Sequence, residues 1–455
     1  MFRKILIANR GEIAVRVARA CRELGIASVM VHSTADADSP SLSYADEVVC
    51  IGPAPAARSY LYVPNLIEAA ALTGADAVHP GYGFLSEDPY FAEICAEHDI
   101  TFIGPTAAVM ENVGSKATAR RLMADAGLPL LPGTIEPVTS VDALLKVADE
   151  VGFPLIIKAV AGGGGRGITV VERPEDLEQA YRSTRATALA TFRDSSVYVE
   201  RYLRGARHIE VQVLGDAHGT VIHLGERDCS VQRRHQKLLE EATSPAVNSE
   251  QRAQITGWAV AGAEAIGYQG AGTMEFLLDA DGQAWFMEIN GRIQVEHPVT
   301  EMITGIDLVR EQILVATGEP VSVQQHDVVL RGHSIECRIN AENPDRDFAP
   351  TPGRLDEFVP PGGPWTRVDT HLRAGSVVPP HYDSMMAKVI VWAPDRLAAI
   401  ARMQRALAEF EISGRGVSTT IPFHQRVLSD PAFVAGEHTL DLVSTMTPDR
   451  VARTA

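Results

Sequence analysis

The chain has 455 residues, of which 45% are hydrophobic and 22% are charged, a balance typical of folded, water-soluble proteins. One hydrophobic core rarely extends over so many residues, so two or three domains are expected. The 41 basic and 58 acidic residues give a formal charge of −17, which argues against nucleic acid or an anionic membrane surface as a partner.

The sequence contains no sign of export or membrane insertion. No apolar run approaches the roughly 20 residues of a membrane-spanning helix, and the N-terminus is typical of a first strand rather than of a signal peptide. The five cysteines are scattered and include no Cys-x-x-Cys pair. A cytoplasmic protein with reduced cysteines is therefore expected.

Strand and helix patterns alternate over the N-terminal quarter of the chain. Residues 3–8, 27–32 and 75–79 are short apolar runs, and residues 12–24 and 65–73 have apolar positions at helical spacing. Strands that alternate with helices predict a parallel sheet covered by helices. A further helix is predicted over residues 115–126.

A smaller unit is predicted between residues 130 and 205. Its strand 154–160 leads into a glycine run at 162–167, and a second strand, 168–172, follows. The run contains a literal G-x-G-x-x-G, but a dinucleotide-binding motif joins a strand to a helix, so that interpretation fails. A glycine-rich hairpin can close over phosphates as a mobile flap, whereas a merely flexible turn is the alternative.

Two lysines are placed to contact phosphates under such a flap. Lys158 lies in the apolar strand before the glycines, where a lysine is rarely buried without an anionic partner. An edge-strand lysine that opposes aggregation is the alternative. Lys116 begins the helix over 115–126, and on its own it would be interpreted as a solvated residue.

Further strands and helices are predicted from residue 208 onwards. A hairpin is predicted from strands 208–214 and 220–226, followed by a helix at 249–266, a strand at 271–278 and a helix at 307–317. Residues 319–330 resemble a linker into a third, proline- and glycine-rich domain. In its strand 334–339, Arg338 lies opposite the face of Ile335, Cys337 and Ile339, so it can point into a cleft.

Residues 286–297 are predicted to form one extended strand with a polar face. Side chains in a strand alternate between its two faces, and a half-buried strand with a solvated charged face is the alternative interpretation. Gly291 interrupts the run where strands rarely have glycine. The polar positions on one face are Glu288, Asn290, Arg292, Gln294 and Glu296.

A cation site is predicted where this strand pairs with strand 271–278 across the turn at 279–282. Glu275 and Glu288 would then face each other, which is unfavourable unless a cation lies between them. Glu275, Glu288 and Asn290 offer hard oxygen ligands that suit Mg²⁺ shared with nucleotide phosphates. Together with the lysines and the glycine flap, they predict a phosphoryl-transfer enzyme without a P-loop.

These motifs together resemble the biotin carboxylase family of ATP-grasp enzymes. The resemblance covers nearly the whole chain and rests on residues 7–13, 79–87, 158–167, 226–237, 288–301, 336–342 and 382–385. It implies an α/β and α+β fold with a Rossmann-like N-terminal domain over 1–113 and an ATP-grasp domain over 114–318. It also implies a mobile lid subdomain at about 130–205 and a C-terminal α+β domain over 330–447.

The resemblance also implies a role for each matching residue. ATP is expected to contact Lys116, Lys158, Gly163, Gly164, Gly165, Glu200, Leu203, His208, Gln232 and His235. Mg²⁺ or Mn²⁺ is expected at Glu275, Glu288 and Asn290, and bicarbonate at Lys237, Arg292, Gln294 and Val295. The catalytic residues are expected to be Glu296 as the base, Arg338 beside the biotin enolate, Lys237 and Arg292.

The implied reaction is carboxylation of biotin on a separate carrier protein, with ATP and bicarbonate, through carboxyphosphate. It would be the first half-reaction of an acetyl-CoA or acyl-CoA carboxylase, and the implied partners are a biotin carboxyl carrier protein and a carboxyltransferase subunit. A homodimer is also implied, with Arg16, Arg19 and Glu23 on the helix where the family dimerises, although a solvated helix face is the alternative.

Two other functions remain open from the sequence. Another ATP-grasp ligase that joins a carboxylate to an amine would keep the lysines and the metal site, but need not keep Arg338 or residues 292–296. A non-catalytic scaffold is the other alternative, and Gly291 is its only support because the family usually has a larger residue there. Residues 384–388 faintly resemble a biotin-attachment motif but lie inside the C-terminal domain, and His297 is interpreted as structural.

Overall fold

The computed structural model describes residues 1–160 and 167–446 of the chain. The predicted phosphate flap, with Gly163, Gly164 and Gly165, lies outside these residues. Within the described part, no helix is both long enough and apolar enough to cross a membrane.

The N-terminal region is built around a five-stranded parallel sheet of strand order β3-β2-β1-β4-β5. This arrangement confirms the α/β sheet predicted from the alternating patterns. Helix α1 begins at Gly11 directly after the first strand, so its N-terminus and the carboxyl edge of the sheet face the same side. The elements are β1 (Lys4–Ile7), α1 (Gly11–Glu23), β2 (Ala27–His32), β3 (Glu47–Cys50), α2 (Val63–Thr73), β4 (Ala77–His79), α3 (Pro89–Glu97), β5 (Thr101–Phe102), α4 (Ala107–Gly114) and α5 (Lys116–Asp125).

A three-stranded antiparallel sheet of order β7-β6-β8 follows, packed against two helices. Because Lys158 lies on the central strand, paired with Ile168 on one side and Tyr198 on the other, the edge-lysine interpretation is wrong. The glycine run does join two strands, as the sequence indicated. The elements are α6 (Val141–Val151), β6 (Leu155–Ala159), β7 (Ile168–Val171), α7 (Leu177–Phe192) and β8 (Val197–Arg201).

The largest sheet has eight strands and continues into the C-terminal region. Its order is β13-β12-β9-β10-β11-β14-β21-β19, and the pairing of β11 with β14 joins the two halves. The intervening elements are β9 (Arg207–Gly215), β10 (Val221–Arg233), β11 (Gln236–Ala242), α8 (Ser249–Ala265), β12 (Gly270–Leu278), β13 (Ala284–Asn290), α9 (His297–Thr304), α10 (Leu308–Ala316) and β14 (His333–Asn340).

The C-terminal region completes this sheet and encloses a core of its own, in which apolar residues of β14 and β21 pack on α11 and α12. Three small two-stranded sheets flank it. The elements are β15 (Glu342–Asn343), β16 (Ala349–Pro350), β17 (Gly353–Arg354), β18 (Glu357–Val359), β19 (Thr366–Thr370), β20 (Val377–Val378), β21 (Met385–Ala393), α11 (Arg396–Glu409), β22 (Glu411–Ser413), α12 (Ile421–Ser429), α13 (Pro431–Ala435) and α14 (Leu442–Met446).

The predicted strand 286–297 requires a correction. Strand β13 ends at Asn290, residues 291–296 form an irregular loop, and α9 begins at His297 with Pro298 in its first turn. Proline suits this position because the first helical turn leaves its backbone N–H groups unbonded. We call residues 291–296 the catalytic-site loop. Polar and apolar residues therefore continue to alternate beyond the end of the strand. Arg292, Gln294 and Glu296 lie in the loop and do not form one face of a strand with Glu288 and Asn290.

Candidate active site

A cavity of about 980 Å³ lies between the small antiparallel sheet, the large sheet and the catalytic-site loop. Every predicted site residue within the described part of the chain lines it: Lys116, Lys158, Glu200, Leu203, His208, Gln232, His235, Lys237, Glu275, Glu288, Asn290, Arg292, Gln294, Val295, Glu296 and Arg338. The structure therefore brings together residues that are more than 200 positions apart in the sequence.

Lys158 projects from β6 towards the carboxylate of Glu200 on β8. Its Nζ lies 2.6 Å from Glu200 Oε2, and Arg120 from α5 hydrogen-bonds to the other carboxylate oxygen. Burial opposes the charge on each group, but the mutual attraction lowers the pKa of Glu200 and raises that of Lys158. Burial lowers the pKa of Lys116 at the start of α5. Three cations therefore surround one buried carboxylate in this part of the cavity.

The two predicted metal-ligand carboxylates are directly opposite each other on adjacent strands. Glu275 on β12 is the cross-strand partner of Glu288 on β13, as predicted. The Glu275 carboxylate lies 2.8 Å from His208 Nε2 and 3.1 Å from Lys237 Nζ, and it accepts a hydrogen bond of 2.7 Å from Asn290. Confinement in the cavity and the charge of Glu275 raise the pKa of Glu288, whereas Glu275 keeps a lowered pKa.

This donor set fits a hard divalent cation. Two facing carboxylates and an amide oxygen are ligands that Mg²⁺ accepts, and a cation between them would remove the repulsion that raises the pKa of Glu288. The neighbouring cations on Lys116 and Lys158 line the same cavity, so anionic oxygens of a ligand could complete the coordination there.

Lys237 on β11 is the centre of a buried charge cluster. Its Nζ lies 2.5 Å from Glu210 Oε2 and 2.7 Å from Glu296 Oε1, and it donates a hydrogen bond of 3.2 Å to Gln294. Burial alone would lower the pKa of this lysine, but the surrounding carboxylates raise it well above its ordinary range. The sequence did not predict Glu210, whose other oxygen lies 2.6 Å from the fully buried Arg227.

Glu296 is held between two cations. Its carboxylate lies 2.7 Å from Lys237 Nζ through Oε1 and 3.0 Å from Arg338 Nη2 through Oε2. Burial would raise its pKa, but Lys237 and Arg338 lower it, so the group is an anion at neutral pH. Arg338 also donates from Nε to Glu240 Oε1 at 2.6 Å. A buried carboxylate that is ionised and faces a cavity can accept a proton from a bound substrate.

Arg292 extends from the catalytic-site loop and is oriented by Glu87, which follows β4. Arg292 Nε donates to Glu87 Oε2 at 2.9 Å, and the Gly291 N–H donates to the other oxygen, also at 2.9 Å. A third contact, from Arg292 Nη2 to Asn290 Oδ1 at 3.1 Å, links the guanidinium to the predicted metal site. Glu87 belongs to one of the motifs that carry the resemblance, but the sequence did not predict this role.

Gln232, His235, Leu203 and Leu440 line another part of the cavity. The side-chain nitrogen of Gln232 lies 3.1 Å from His208 Nδ1. Burial lowers the pKa of His235, and the positive charges of Lys158 and His208 lower it further. Leu440, which the sequence did not predict, donates its N–H to Ala206 at 2.9 Å and brings the C-terminal segment to the wall. Leu203 lines the cavity beside them.

Two other predicted residues have different surroundings. His297 is fully buried and its Nδ1 lies 2.8 Å from the Gln294 carbonyl oxygen, in agreement with a structural role. Arg16 is also buried, and its guanidinium bonds to Glu301 and Asp307 within the same chain. It is therefore not part of an exposed face of α1, in contrast to Arg19 and Glu23.

Comparison with known proteins identifies the family. Family models match at residues 1–110 (biotin carboxylase, N-terminal domain), 115–324 (carbamoyl-phosphate synthase L chain, ATP-binding domain) and 336–445 (biotin carboxylase, C-terminal domain). A biotin carboxylase from Nostoc sp. is 53% identical over 445 residues, which cover 98% of this chain and 99% of that protein. Biotin carboxylase 1 from Bacillus subtilis is 52% identical over 446 residues, also with coverage of 98% and 99%.

Solved structures agree with these relatives. A biotin carboxylase–βγ-ATP complex from Campylobacter jejuni superimposes with a TM-score of 0.94 at 46% identity, covering 98% of this chain and 99% of that one. The biotin carboxylase domain dimer of Hydrogenobacter thermophilus 2-oxoglutarate carboxylase, in complex with MgADP, ADP and bicarbonate, gives 0.93 at 46% identity and 98% coverage of both chains. From its sequence, fold and cavity alike, this chain belongs to the biotin carboxylase family.

Proposed function

We propose that this protein catalyses the ATP-dependent carboxylation of biotin with bicarbonate, through carboxyphosphate. One observation carries the proposal: the Glu296 carboxylate lies between Lys237 and Arg338, in the cavity that also contains the lysines and the facing carboxylates. A site that binds only a nucleotide would need the lysines and the facing carboxylates, but not Glu296 between Lys237 and Arg338. The cation-flanked carboxylate adds a place where a small anion can bind and lose a proton.

The nucleotide half of the cavity supports binding of ATP phosphates. Lys116 and Lys158 supply positive charge, and the Glu200 carboxylate keeps Lys158 protonated until phosphate oxygens replace it. His208, Gln232, His235 and Leu203 would surround the rest of the nucleotide. Glu275, Glu288 and Asn290 would hold Mg²⁺ or Mn²⁺, which when bound neutralises charge on the transferring phosphoryl group.

In the other half, bicarbonate would bind beside Lys237, Arg292, Gln294 and the backbone of Val295. Bicarbonate is a poor nucleophile, so Glu296 takes its proton and the resulting carbonate oxygen attacks the γ-phosphorus of ATP. The bond from that phosphorus to the β–γ bridging oxygen breaks, and ADP and carboxyphosphate are formed. The nearby cations stabilise the charge that develops.

Biotin would then receive the carboxyl group. Carboxyphosphate breaks down to CO₂ and phosphate, the phosphate removes the ureido proton of biotin, and the resulting enolate attacks CO₂. Arg338 would stabilise the enolate oxygen, since its guanidinium is held at the cavity wall by Glu240 and Glu296. The contact with Glu240 does not depend on the protonation of Glu296, so it can hold the guanidinium in place after Glu296 has taken a proton.

We also propose the organisation that the resemblance implies. The chain would have three domains, over residues 1–113, 114–318 and 330–447, and the second would contain a lid at about 130–205. The family models support these bounds, since they match at 1–110, 115–324 and 336–445. The partners would be a second copy of the chain, a biotin carboxyl carrier protein and a carboxyltransferase subunit, in the first half-reaction of an acetyl-CoA or acyl-CoA carboxylase. Five free cysteines support a cytoplasmic location.

The test is ADP release by the purified chain with and without bicarbonate and free biotin. Turnover that requires bicarbonate and rises with biotin supports the proposal, and chelation of divalent cations should abolish it until Mg²⁺ or Mn²⁺ is restored. Turnover that instead requires an amine acceptor would identify a carboxylate–amine ligase. No turnover at high enzyme concentration, with ATP still bound, would indicate a scaffold.

A further inference from the structure

Lys388, on β21, is a buried lysine that the proposed mechanism does not use. Its side chain is fully buried, and its Nζ donates a hydrogen bond of 2.7 Å to the carbonyl oxygen of Val295. The same ammonium lies 3.1 Å from Glu12 Oε1 on α1 and 4.0 Å from Asp369 Oδ2 on β19. A lysine in such a place is costly unless its charge is paired, so these contacts fix it tightly.

Its contact with Val295 matters because of where that carbonyl lies. The catalytic-site loop makes no sheet or helix ladder, so each of its backbone groups needs a partner from elsewhere. Glu87 binds the Gly291 N–H, and the His297 ring lies 2.8 Å from the Gln294 carbonyl oxygen. Lys388 donates a hydrogen bond to the next carbonyl, that of Val295, which belongs to the peptide that joins Val295 to Glu296.

The strand register connects this lysine to the groups around the base. Lys388 is the cross-strand partner of Arg338 on β14 and of Asp369 on β19, so these three side chains share one face of the sheet. Arg338 binds the Glu296 side chain, and Lys388 binds the peptide from which that side chain extends. Adjacent residues of the same sheet face therefore fix both ends of Glu296.

We propose that Lys388 is a positioning residue for bicarbonate activation: its ammonium holds the Val295–Glu296 peptide so that the Glu296 carboxylate lies between Lys237 and Arg338. This inference rests on the proposed function. The competing explanation is that Lys388 only balances the charge of Glu12, which also accepts a hydrogen bond from the Tyr82 hydroxyl.

Paired substitutions separate these two explanations. Lys388→Met alone leaves Glu12 buried without its cation and is expected to destabilise the fold. Glu12→Gln/Lys388→Met removes both charges at once, so a purely charge-balancing lysine would be dispensable in that background. Glu12→Gln alone keeps the contact with Val295 and is the matched control.

A second control is Lys4→Met, because Lys4 has the same kinds of partner far from the loop. Its Nζ lies 2.6 Å from the Thr73 carbonyl oxygen and 2.6 Å from Glu47 Oε1. We expect both control variants to stay close to the wild type in kcat/KM for bicarbonate.

For Glu12→Gln/Lys388→Met we expect kcat/KM for bicarbonate to fall between about tenfold and about a hundredfold, the scale of a displaced catalytic group. The KM for ATP should stay within about twofold, since Lys158, which would bind phosphate, is held by Glu200 on β8. Hydrogen exchange should become faster in peptides that cover residues 291–297 and remain unchanged in β6.

A wild-type kcat/KM for bicarbonate in the double variant would overturn the proposal, as would equal losses for ATP and bicarbonate. If the double variant does not fold, Glu12→Gln/Lys388→Leu, which also lacks a donor for the Val295 carbonyl, is measured by the same criteria. The wild-type chain distinguishes this result from failure of the proposed function, because without bicarbonate-dependent ADP release in the wild type the function itself is wrong.

Discussion

Gly291 joins the proposed metal ligand Asn290 to Arg292, and the structure predicts that a larger residue fits there. Its backbone is outside the left-handed region that favours glycine. A Cβ atom would lie 3.6 Å from Pro105 Cγ, 3.6 Å from Val113 Cγ2 and 4.0 Å from Glu87 Oε1, all ordinary van der Waals distances. Gly291→Thr should therefore be accepted without displacement of Arg292.

The expected gain in stability is small. Replacing glycine reduces the conformational freedom of the unfolded chain, which stabilises the folded state by about 0.4–1 kcal/mol. A methyl group packed on Pro105 and Val113 adds up to about 0.8 kcal/mol, from which the cost of ordering the side chain must be subtracted. The net gain is about 1 kcal/mol, or a melting-temperature rise of only about 1 °C for a chain of this length.

The assay combines urea unfolding, followed by tryptophan fluorescence, with bicarbonate-dependent ADP release. Gly291→Ala isolates the Cβ atom, whereas Gly291→Thr adds a hydroxyl beside Glu87. We expect both variants to unfold at the wild-type urea concentration or slightly above it and to keep kcat/KM for bicarbonate within about twofold. A tenfold loss in both would refute the reasoning, because the loop would then need a glycine conformation that the free protein does not adopt.

Three further predictions concern charged groups. Glu296→Gln should lower kcat by about 10²–10⁴-fold while ATP still binds, and a wild-type rate would show that Glu296 is not the base. Lys158→Met should weaken binding of a fluorescent ATP analogue by about tenfold or more but leave bicarbonate KM unchanged; an unaltered Kd would contradict its role. Burial opposes ionisation of Glu301, but Arg16 and Arg367 lower the pKa of its carboxyl group below the usual 4.5. The ionised carboxylate therefore stabilises the fold fully above about pH 4.5, and this stabilisation is lost as the pH falls towards the lowered pKa. Glu301→Gln should thus lower the melting temperature by about 3 °C or more at pH 7, with the difference from wild type shrinking below about pH 4; a constant difference across pH would rule out this origin.

The sequence was most informative where structure depends on nearby residues. Strand β2 has the predicted bounds, and helix α8 begins at the predicted residue and ends one residue before the predicted end, because patterns of residue type within one segment are local signals. The pairing of Glu275 with Glu288 was predicted, but the turn alone does not account for it. The register beside the turn, with Phe276 opposite Phe286, would place Glu275 opposite Met287, and an irregularity between Glu275 and Phe276 shifts the partner to Glu288. The same local pattern failed after Asn290, where alternation of residue types continues through a loop.

Contacts between segments that are far apart in the chain could not be predicted from the sequence. Arg120 and Glu200 are 80 positions apart, and Val295 and Lys388 are 93 positions apart, so no spacing rule connects them. Lys237 on β11 is buried among carboxylates whose charges oppose the cost of burial, and its neighbours along the chain do not indicate that burial. The site was therefore predictable as a list of residues, but the groups that orient them were not.

The dependence of the catalytic-site loop on β21 also has a consequence for the order in which the site is completed during synthesis. All residues proposed to contact ATP precede residue 236, and the proposed metal ligands and base precede residue 297. The partner of the Val295 carbonyl, in contrast, is made almost a hundred residues later. The residues proposed to hold the phosphates and the metal are thus synthesised well before the lysine that fixes the peptide of Glu296, although Leu440, on the wall of the same cavity, is made later still. Such a delay would limit wasteful ATP hydrolysis by incomplete chains.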